Sequence, residues 1–286
     1  MAEWSETHTF LDGEWFSGNR PILGPRSHAF WLGSSVFDGA RAFEGVTPDL
    51  DVHCERVNRS AKAMWLKPLK SAQEMIELTR EGLKRFKPGA ALYIRPMYWA
   101  ETSGVGAVAQ DPESTRFLLT IYETPMPDVA KGVSITRAQR VKPLPTMAPI
   151  EAKAGCLYPN NARALLEARA RGFDNCVMFD GLGNVAETAT ANLFLVKDGV
   201  VKTPAANGAF LNGITRQRVI KLLTGAGVAV VETTLAYADL LEADEIFMAG
   251  NFGKVTPVGG IDGRALPLGP LYAKARALYW EFAHAG

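Results

Sequence analysis

The chain has 286 residues, with 31 lysines and arginines against 30 aspartates and glutamates and a formal net charge of +1. That balance, without a long like-charged block, excludes a nucleic-acid or membrane-surface role resting on bulk charge. The 3 cysteines, Cys54, Cys156 and Cys176, form no close pair, which argues against a disulfide framework or a Cys-based zinc site and fits a reducing cytoplasm.

Strands are expected at 7–11 and 42–44, helices at 60–64 and 72–86, and strands again at 91–99 and 116–123. Thr124-Pro125-Met126-Pro127-Asp128 then breaks the pattern. The division read from this is a smaller N-terminal domain over 1–123, a linker over 124–131 and a larger domain over 132–286. The larger domain opens with a strand at 132–141. A helix follows at 160–171, with Pro159 near its first turn and Gly172 as its stop. Strands at 175–179 and 185–196 are joined by Asp180-Gly181-Leu182-Gly183-Asn184, and Lys197-Asp198-Gly199 is a hairpin signal. Val219, Leu222, Leu223 and Ala226 repeat at helical spacing around 216–224. Strands at 228–232 and 245–249 and a helix at 270–283 complete a mixed α/β, α+β-like chain in two parts, without strict β-α alternation. No apolar run approaches the roughly 20 residues that span a bilayer. The opening Met1-Ala2-Glu3-Trp4-Ser5-Glu6 lacks the pattern of a signal peptide.

Lys153 stands in Glu151-Ala152-Lys153-Ala154-Gly155-Cys156-Leu157-Tyr158, after a loop stiffened by Pro143, Pro145 and Pro149. A lysine leaving such a loop and buried there would lose hydration and become a nucleophilic amine; on the surface it would be one more solvated charge. Glu187 lies among small and apolar residues in a strand-like run. It is either a carboxylate for a protonated ring nitrogen or an acid at a strand end. Thr215 is a natural N-cap. Arg216 and Arg218 put positive charge where the helix dipole is already positive, so either an anion such as phosphate sits there or the arginines pair with acids elsewhere. Arg56 is a second anion candidate or a helix-surface charge, and Arg95, interrupting an apolar strand, holds a substrate carboxylate or closes an ion pair. The 4 histidines are too scattered for a metal site. Gly104-Val105-Gly106 lacks the context of a dinucleotide fingerprint.

Several segments in order resemble the class IV (fold type IV) pyridoxal-phosphate (PLP) aminotransferases, most closely those of branched-chain amino acids. They are Ser35-Val36-Phe37-Asp38-Gly39-Ala40-Arg41, His53 to Lys62, Tyr93-Ile94-Arg95-Pro96, Lys153-x-Gly155-x-x-Tyr158, Glu187 to Phe194, Gly213-Ile214-Thr215-Arg216 and Ala243-Asp244-Glu245-Ile246-Phe247. The resemblance implies a two-domain fold, the larger C-terminal domain carrying a pseudo-barrel sheet and the cofactor. It implies that Lys153 forms the Schiff base with PLP and shuttles the proton, that Glu187 pairs with the pyridine nitrogen, and that Tyr158 bonds the phenolic oxygen. Arg56, Ile214 and Thr215 would hold the phosphate. Phe37, Tyr93 and Arg95 would line the substrate pocket, with Arg41 supporting it.

Where the family has Gly-Thr-Ala near the phosphate and substrate carboxylate, this chain has Gly250-Asn251-Phe252. Asn251 accordingly joins the cofactor set and Phe252 the substrate set. Leu32 stands where branched-chain enzymes usually carry tyrosine. The implied partners are an amino donor and a 2-oxo acid acceptor, typically 2-oxoglutarate, used in a ping-pong cycle by a homodimer or higher homo-oligomer. D-amino acid transaminases, (R)-selective amine transaminases and aminodeoxychorismate lyase share the fold and are the alternatives.

Overall fold

The computed structural model describes residues 3–285 of the chain; Met1, Ala2 and Gly286, which fall within the expected domain ranges, lie outside the described residues. It divides into two compact units, one of residues 1–126 with 151–156 and one of 127–150 with 157–286. The segment bearing Lys153 therefore belongs to the first unit, although it sits well inside the stretch that sequence reading gave to the larger domain.

The first unit contains β1 (Thr7–Leu11), β2 (Glu14–Ser17), α1 (His28–Leu32), β3 (Ser35–Phe37), β4 (Ala40–Ala42), α2 (Leu50–Ala63), α3 (Ala72–Leu83), β5 (Leu92–Ala100) and β6 (Thr115–Glu123). Its six strands run β2-β1-β6-β5-β3, with β4 also on β5, and all pairs are antiparallel. Leu92, Ile94 and Tyr98 of β5 turn inward at alternate positions, and α2 and α3 pack on that sheet. The expected strand at 42–44 lies earlier, because Glu44 and Gly45 take φ of 52° and 83° and turn the chain. The expected short helix at 60–64 is the end of a longer one starting at Leu50. Its buried stripe of Leu50, His53, Cys54, Val57, Ser60 and Ala61 mixes polar with apolar residues and so blurs the helical period.

The second unit contains β7 (Val133–Val141), α4 (Tyr158–Ala170), β8 (Asn175–Phe179), β9 (Val185–Thr188), β10 (Asn192–Lys197), β11 (Val200–Pro204), α5 (Ile214–Gly225), β12 (Val230–Thr233), α6 (Tyr237–Leu241), β13 (Glu245–Gly250), β14 (Lys254–Ile261), β15 (Arg264–Ala265) and α7 (Pro270–His284). Nine strands form one sheet in the order β12-β11-β10-β13-β14-β7-β8-β9, with β15 on β14. The expected strand over 185–196 is two strands. Thr188 accepts from Ala191 N and donates to Ala191 O through its hydroxyl, folding the chain into a tight turn. That turn shows the sheet to be curled. Thr188 and Asn192 bound a connection of three residues, reaching at most about 14 Å, yet β9 and β10 lie five places apart in the strand order, about 24 Å on a flat sheet.

Leu193, Leu195, Val177, Ile246 and Val258 fill one core cluster of the curl. On the other face, Phe194 stacks on Phe247 with centroids 4.9 Å apart. With both faces covered, β8 and β9 are buried throughout. The expected hairpin at Asp198-Gly199 is present, with φ of 50° and 75° at the two turn residues. Among the described residues no helix is long and apolar enough to cross a membrane.

Candidate active site

In the first unit, the strand register lines up Arg41, Tyr93 and Tyr122 across β4, β5 and β6, and sets Phe37 beside Met97. Because side chains alternate along a strand, Tyr93 and Arg95 share the face opposite the core. Tyr93 and Tyr122 stack at 5.4 Å. The Arg95 guanidinium lies 5.0 Å from the Tyr93 ring, 5.1 Å from Tyr122 and 5.9 Å from Phe37. It donates through Nη2 to the Tyr122 hydroxyl, while its buried Nε has no hydrogen-bond partner among the described residues. A Cβ at Gly39 would sit 2.1 Å from the Tyr93 hydroxyl, so only glycine admits that ring position. Arg41 is fully buried and donates from Nη2 to Thr124 O at 2.6 Å and to Met126 Sδ at 3.0 Å. It ties β4 to the stretch leaving β6.

Lys153 is pinned by its backbone on two sides. Its carbonyl accepts from Phe37 N at 3.1 Å, and its N–H donates to the buried Ser60 hydroxyl of α2 at 3.0 Å. Gly155 allows the close approach, since a Cβ there would lie 2.7 Å from Ser35 Oγ. The half-buried amine sits 5.0 Å from the Phe37 ring centroid. Burial pushes the Tyr93 phenol up, and the charges of Lys153 and Arg95 oppose that shift.

Behind this face Asp38 is fully buried and accepts from Arg56 Nε at 2.7 Å, Arg56 Nη2 at 2.8 Å and His53 Nδ1 at 2.7 Å. Burial alone would raise its carboxyl, but the charges and hydrogen bonds of Arg56 and His53 outweigh that and hold it well below the usual carboxylate range. The two-pronged edge of Arg56, which sequence reading offered to a phosphate, is thus engaged by Asp38.

In the second unit, Glu187 lies on β9, buried, and accepts from Lys142 Nζ at 2.8 Å and from Asn192 Nδ2 at 3.3 Å. Asn161 accepts from the same Lys142 ammonium at 3.2 Å. Asn192 continues the chain of bonds, donating to Leu211 O at 3.1 Å and accepting from Gly213 N at 3.1 Å. Gly213, not Thr215, is the N-cap of α5. A Cβ at Gly213 would lie 2.2 Å from Asn192 Oδ1, so glycine is what lets the helix begin against that amide. Ile214 and Thr215 follow, both buried in the first turn.

Arg216 takes the second of the two alternatives the sequence left open. It pairs with Glu232 at 2.6 Å and donates to Pro204 O and Asn212 Oδ1. Arg218 lies 3.9 Å from the Phe282 ring. Asn251 and Phe252 lie in the three-residue connection between β13 and β14, and Phe252 is largely exposed. Tyr158 opens α4 and is also exposed, at 39%.

Lys142, Asn192, Asn161, Asp38, His53, Ser60 and Tyr122 were absent from the expected site. Asp38, His53, Ser60 and Asn192 carried a signal, as charged or polar residues inside the motif segments; Lys142, Asn161 and Tyr122 did not.

A buried acid paired with an ammonium suits a protonated ring nitrogen, which is the demand PLP makes of its enzymes. Comparison with known proteins agrees. The sequence profile of amino-transferase class IV matches residues 35–261. A crystal structure of an aminotransferase from Brucella abortus bound to the cofactor PLP shares 56% identity and superposes with a TM-score of 0.96, covering 98% of this chain and 99% of that one. The putative branched-chain-amino-acid aminotransferase of Methanocaldococcus jannaschii is 34% identical over 264 residues, 90% of this chain and 88% of that protein. The branched-chain amino acid aminotransferase structure from Escherichia coli is 28% identical with a TM-score of 0.90, covering 99% and 96% of the two chains.

The chain belongs to the class IV aminotransferases. It is an enzyme of PLP-dependent transamination, and the curled sheet of the second unit is the one expected of that fold. The residues present fit the cofactor. Glu187 is a buried carboxylate of the kind a protonated ring nitrogen requires, the Asn251 Nδ2 is a buried donor without a partner among the described residues, and α5 begins with buried Ile214 and Thr215.

Proposed function

We propose that the enzyme moves the amino group of a branched-chain L-amino acid to a 2-oxo acid such as 2-oxoglutarate. The observation that carries this is Lys153, its backbone held on both sides and its amine 5.0 Å from the ring of Phe37, on the sheet face bearing Tyr93 and Arg95. The relatives named as branched-chain aminotransferases support the choice of donor.

The cofactor, when bound, supplies an electron sink that stabilises negative charge at the substrate Cα. Lys153 Nζ would hold it and, once released, would take the proton from Cα and return it to the carbon on the other side of the nitrogen, two bonds away. Glu187 keeps a proton at the ring nitrogen, and Lys142 and Asn192 fix the plane of its carboxylate. Tyr158 donates to the phenolic oxygen. Ile214, Thr215 and Asn251 take the phosphate, and Arg56, held by Asp38, adds its charge there. Phe37 and Tyr93 meet the aliphatic side chain, Arg95 receives the second carboxylate of the acceptor, Arg41 supports the pocket from its place beside Tyr93, and Phe252 flanks the substrate. The donor leaves as its 2-oxo acid before the acceptor enters, a ping-pong order. The enzyme works as a homodimer or higher homo-oligomer, and in the cytoplasm, a compartment that its free cysteines fit.

The test is a coupled assay of L-leucine, D-alanine and (R)-1-phenylethylamine as donors to 2-oxoglutarate, with Lys153→Ala as control. L-leucine is expected to be preferred and the variant inactive yet folded. Turnover only with D-alanine or the amine would overturn the donor assignment, and wild-type turnover in the variant would overturn the role of Lys153.

A further inference from the structure

The connection from β13 to β14 is three residues, Asn251 to Gly253, with Gly250 paired to Lys254. Lys254 closes it at φ 59°, a left-handed conformation that glycine or asparagine adopts far more readily than lysine. This lysine is also fully buried. Its ammonium donates to Asn251 Oδ1 at 2.8 Å and lies 5.8 Å from the Tyr279 ring centroid. An ammonium offers donors only, so it fixes which end of the Asn251 amide faces it. With Oδ1 committed to Lys254, Nδ2 is the end presented elsewhere, and that atom is buried without a hydrogen-bond partner among the described residues. A buried N–H kept in this way calls for an acceptor.

We infer that Lys254 is a positioning residue that locks the Asn251 amide so that Nδ2 donates to an anionic oxygen of a bound ligand. The ammonium on Oδ1 also polarises the amide and strengthens its N–H donors. The ligand chemistry is an oxyanion, either the phosphate of the cofactor or the carboxylate of the substrate. This rests on the cofactor reading above.

The experiment measures dissociation constants on wild-type protein and on Lys254→Met, Lys254→Gln and Asn251→Asp. The probes are PLP and pyridoxal (which lacks the phosphate) on the apo-protein, and 4-methylpentanoate, a carboxylate that cannot be transaminated, on the loaded enzyme. Asn251→Asp keeps a partner for Lys254 but has no N–H to give. Losing one hydrogen bond to a charged group predicts a rise of about tenfold or more in the dissociation constant of one anionic probe, with pyridoxal binding unchanged.

A rise for PLP alone assigns the phosphate, and a rise for 4-methylpentanoate alone assigns the substrate carboxylate. Wild-type affinities in Asn251→Asp, or pyridoxal weakened as much as PLP in the Lys254 variants, would overturn the inference. If Lys254→Met does not fold, Lys254→Gln, which is uncharged and can turn either end of its amide to Asn251, decides the role of the lysine by the same probes. Wild-type protein that binds neither PLP nor pyridoxal would overturn the cofactor reading itself, which separates the two failures.

Discussion

Lys142 and Glu187 meet at 2.8 Å with side chains only 9% and 11% exposed, so the acid proposed for the cofactor ring comes with its own buried cation. The cation lies at the end of β7, immediately before Pro143 and 45 positions from its partner. Replacing Lys142 by Met would leave that carboxylate without the ammonium in a low-dielectric setting. Loss of one partner of a buried pair costs about 3–5 kcal/mol. Urea unfolding of the apo-protein should show a loss of that order for Lys142→Met, with much of it recovered in the double variant Lys142→Met/Glu187→Gln. A single variant as stable as wild type would show that the pair does not matter to the fold.

Asp38 supplies a pH signature. Its native carboxyl titrates below its unfolded value, because Arg56 and His53 outweigh the effect of burial. A depressed native value means that the stabilisation is complete above the unfolded carboxylate range, near pH 4, and is lost as pH falls towards the native value. Asp38→Asn should therefore destabilise the protein at pH 6 by about 3–5 kcal/mol. It should also flatten the fall in stability between pH 5 and 3, as followed by unfolding midpoints at both ends of that window. An unchanged slope would remove Asp38 from the acid response.

Gly39 sets the position of Tyr93. A methyl group there would meet the phenol at 2.1 Å, and the ring would have to leave its stack on Tyr122. Gly39→Ala should cost about 1–3 kcal/mol and raise KM for the amino donor more than it lowers kcat. Equal KM values would show that the Tyr93 ring does not contact substrate.

The thiols should separate by environment. Burial, with nearby acid charges, pushes Cys54 up to about 12, and burial pushes Cys176 to about 11. Both are buried, whereas Cys156 is exposed. An aromatic disulfide reagent should titrate one thiol quickly in the native protein and all three after unfolding. Rapid reaction of more than one would contradict the packing around α2 and β8.

The sequence exposed those features that rest on local chemistry. Alternation in β5 and β6, the positive-φ pair Asp198-Gly199, the Pro159 start of α4 and the motif residues Lys153 and Glu187 are all visible without a fold. What stayed hidden is long-range. The turn at 189–191 depends on a threonine hydroxyl reaching three residues ahead, while the apolar run around it reads as one strand. Lys142, Asn192 and Lys254 look like ordinary polar residues, and only the curled sheet and the hairpin reveal their partners. At Arg216 the sequence left two alternatives open, an anion or an acid elsewhere, and only the fold decides: Glu232 on β12, parallel to the strand before the helix, takes its charge.

The most direct test of the central claim is the visible absorbance of the PLP-loaded protein during half-reactions. Addition of L-leucine alone should abolish the cofactor's visible band, and 2-oxoglutarate should restore it, with Lys153→Ala showing neither change at the wild-type rate. A band that L-leucine leaves untouched while D-alanine or (R)-1-phenylethylamine bleaches it would contradict the branched-chain assignment, and a band that no donor alters would contradict transamination of any of these amines.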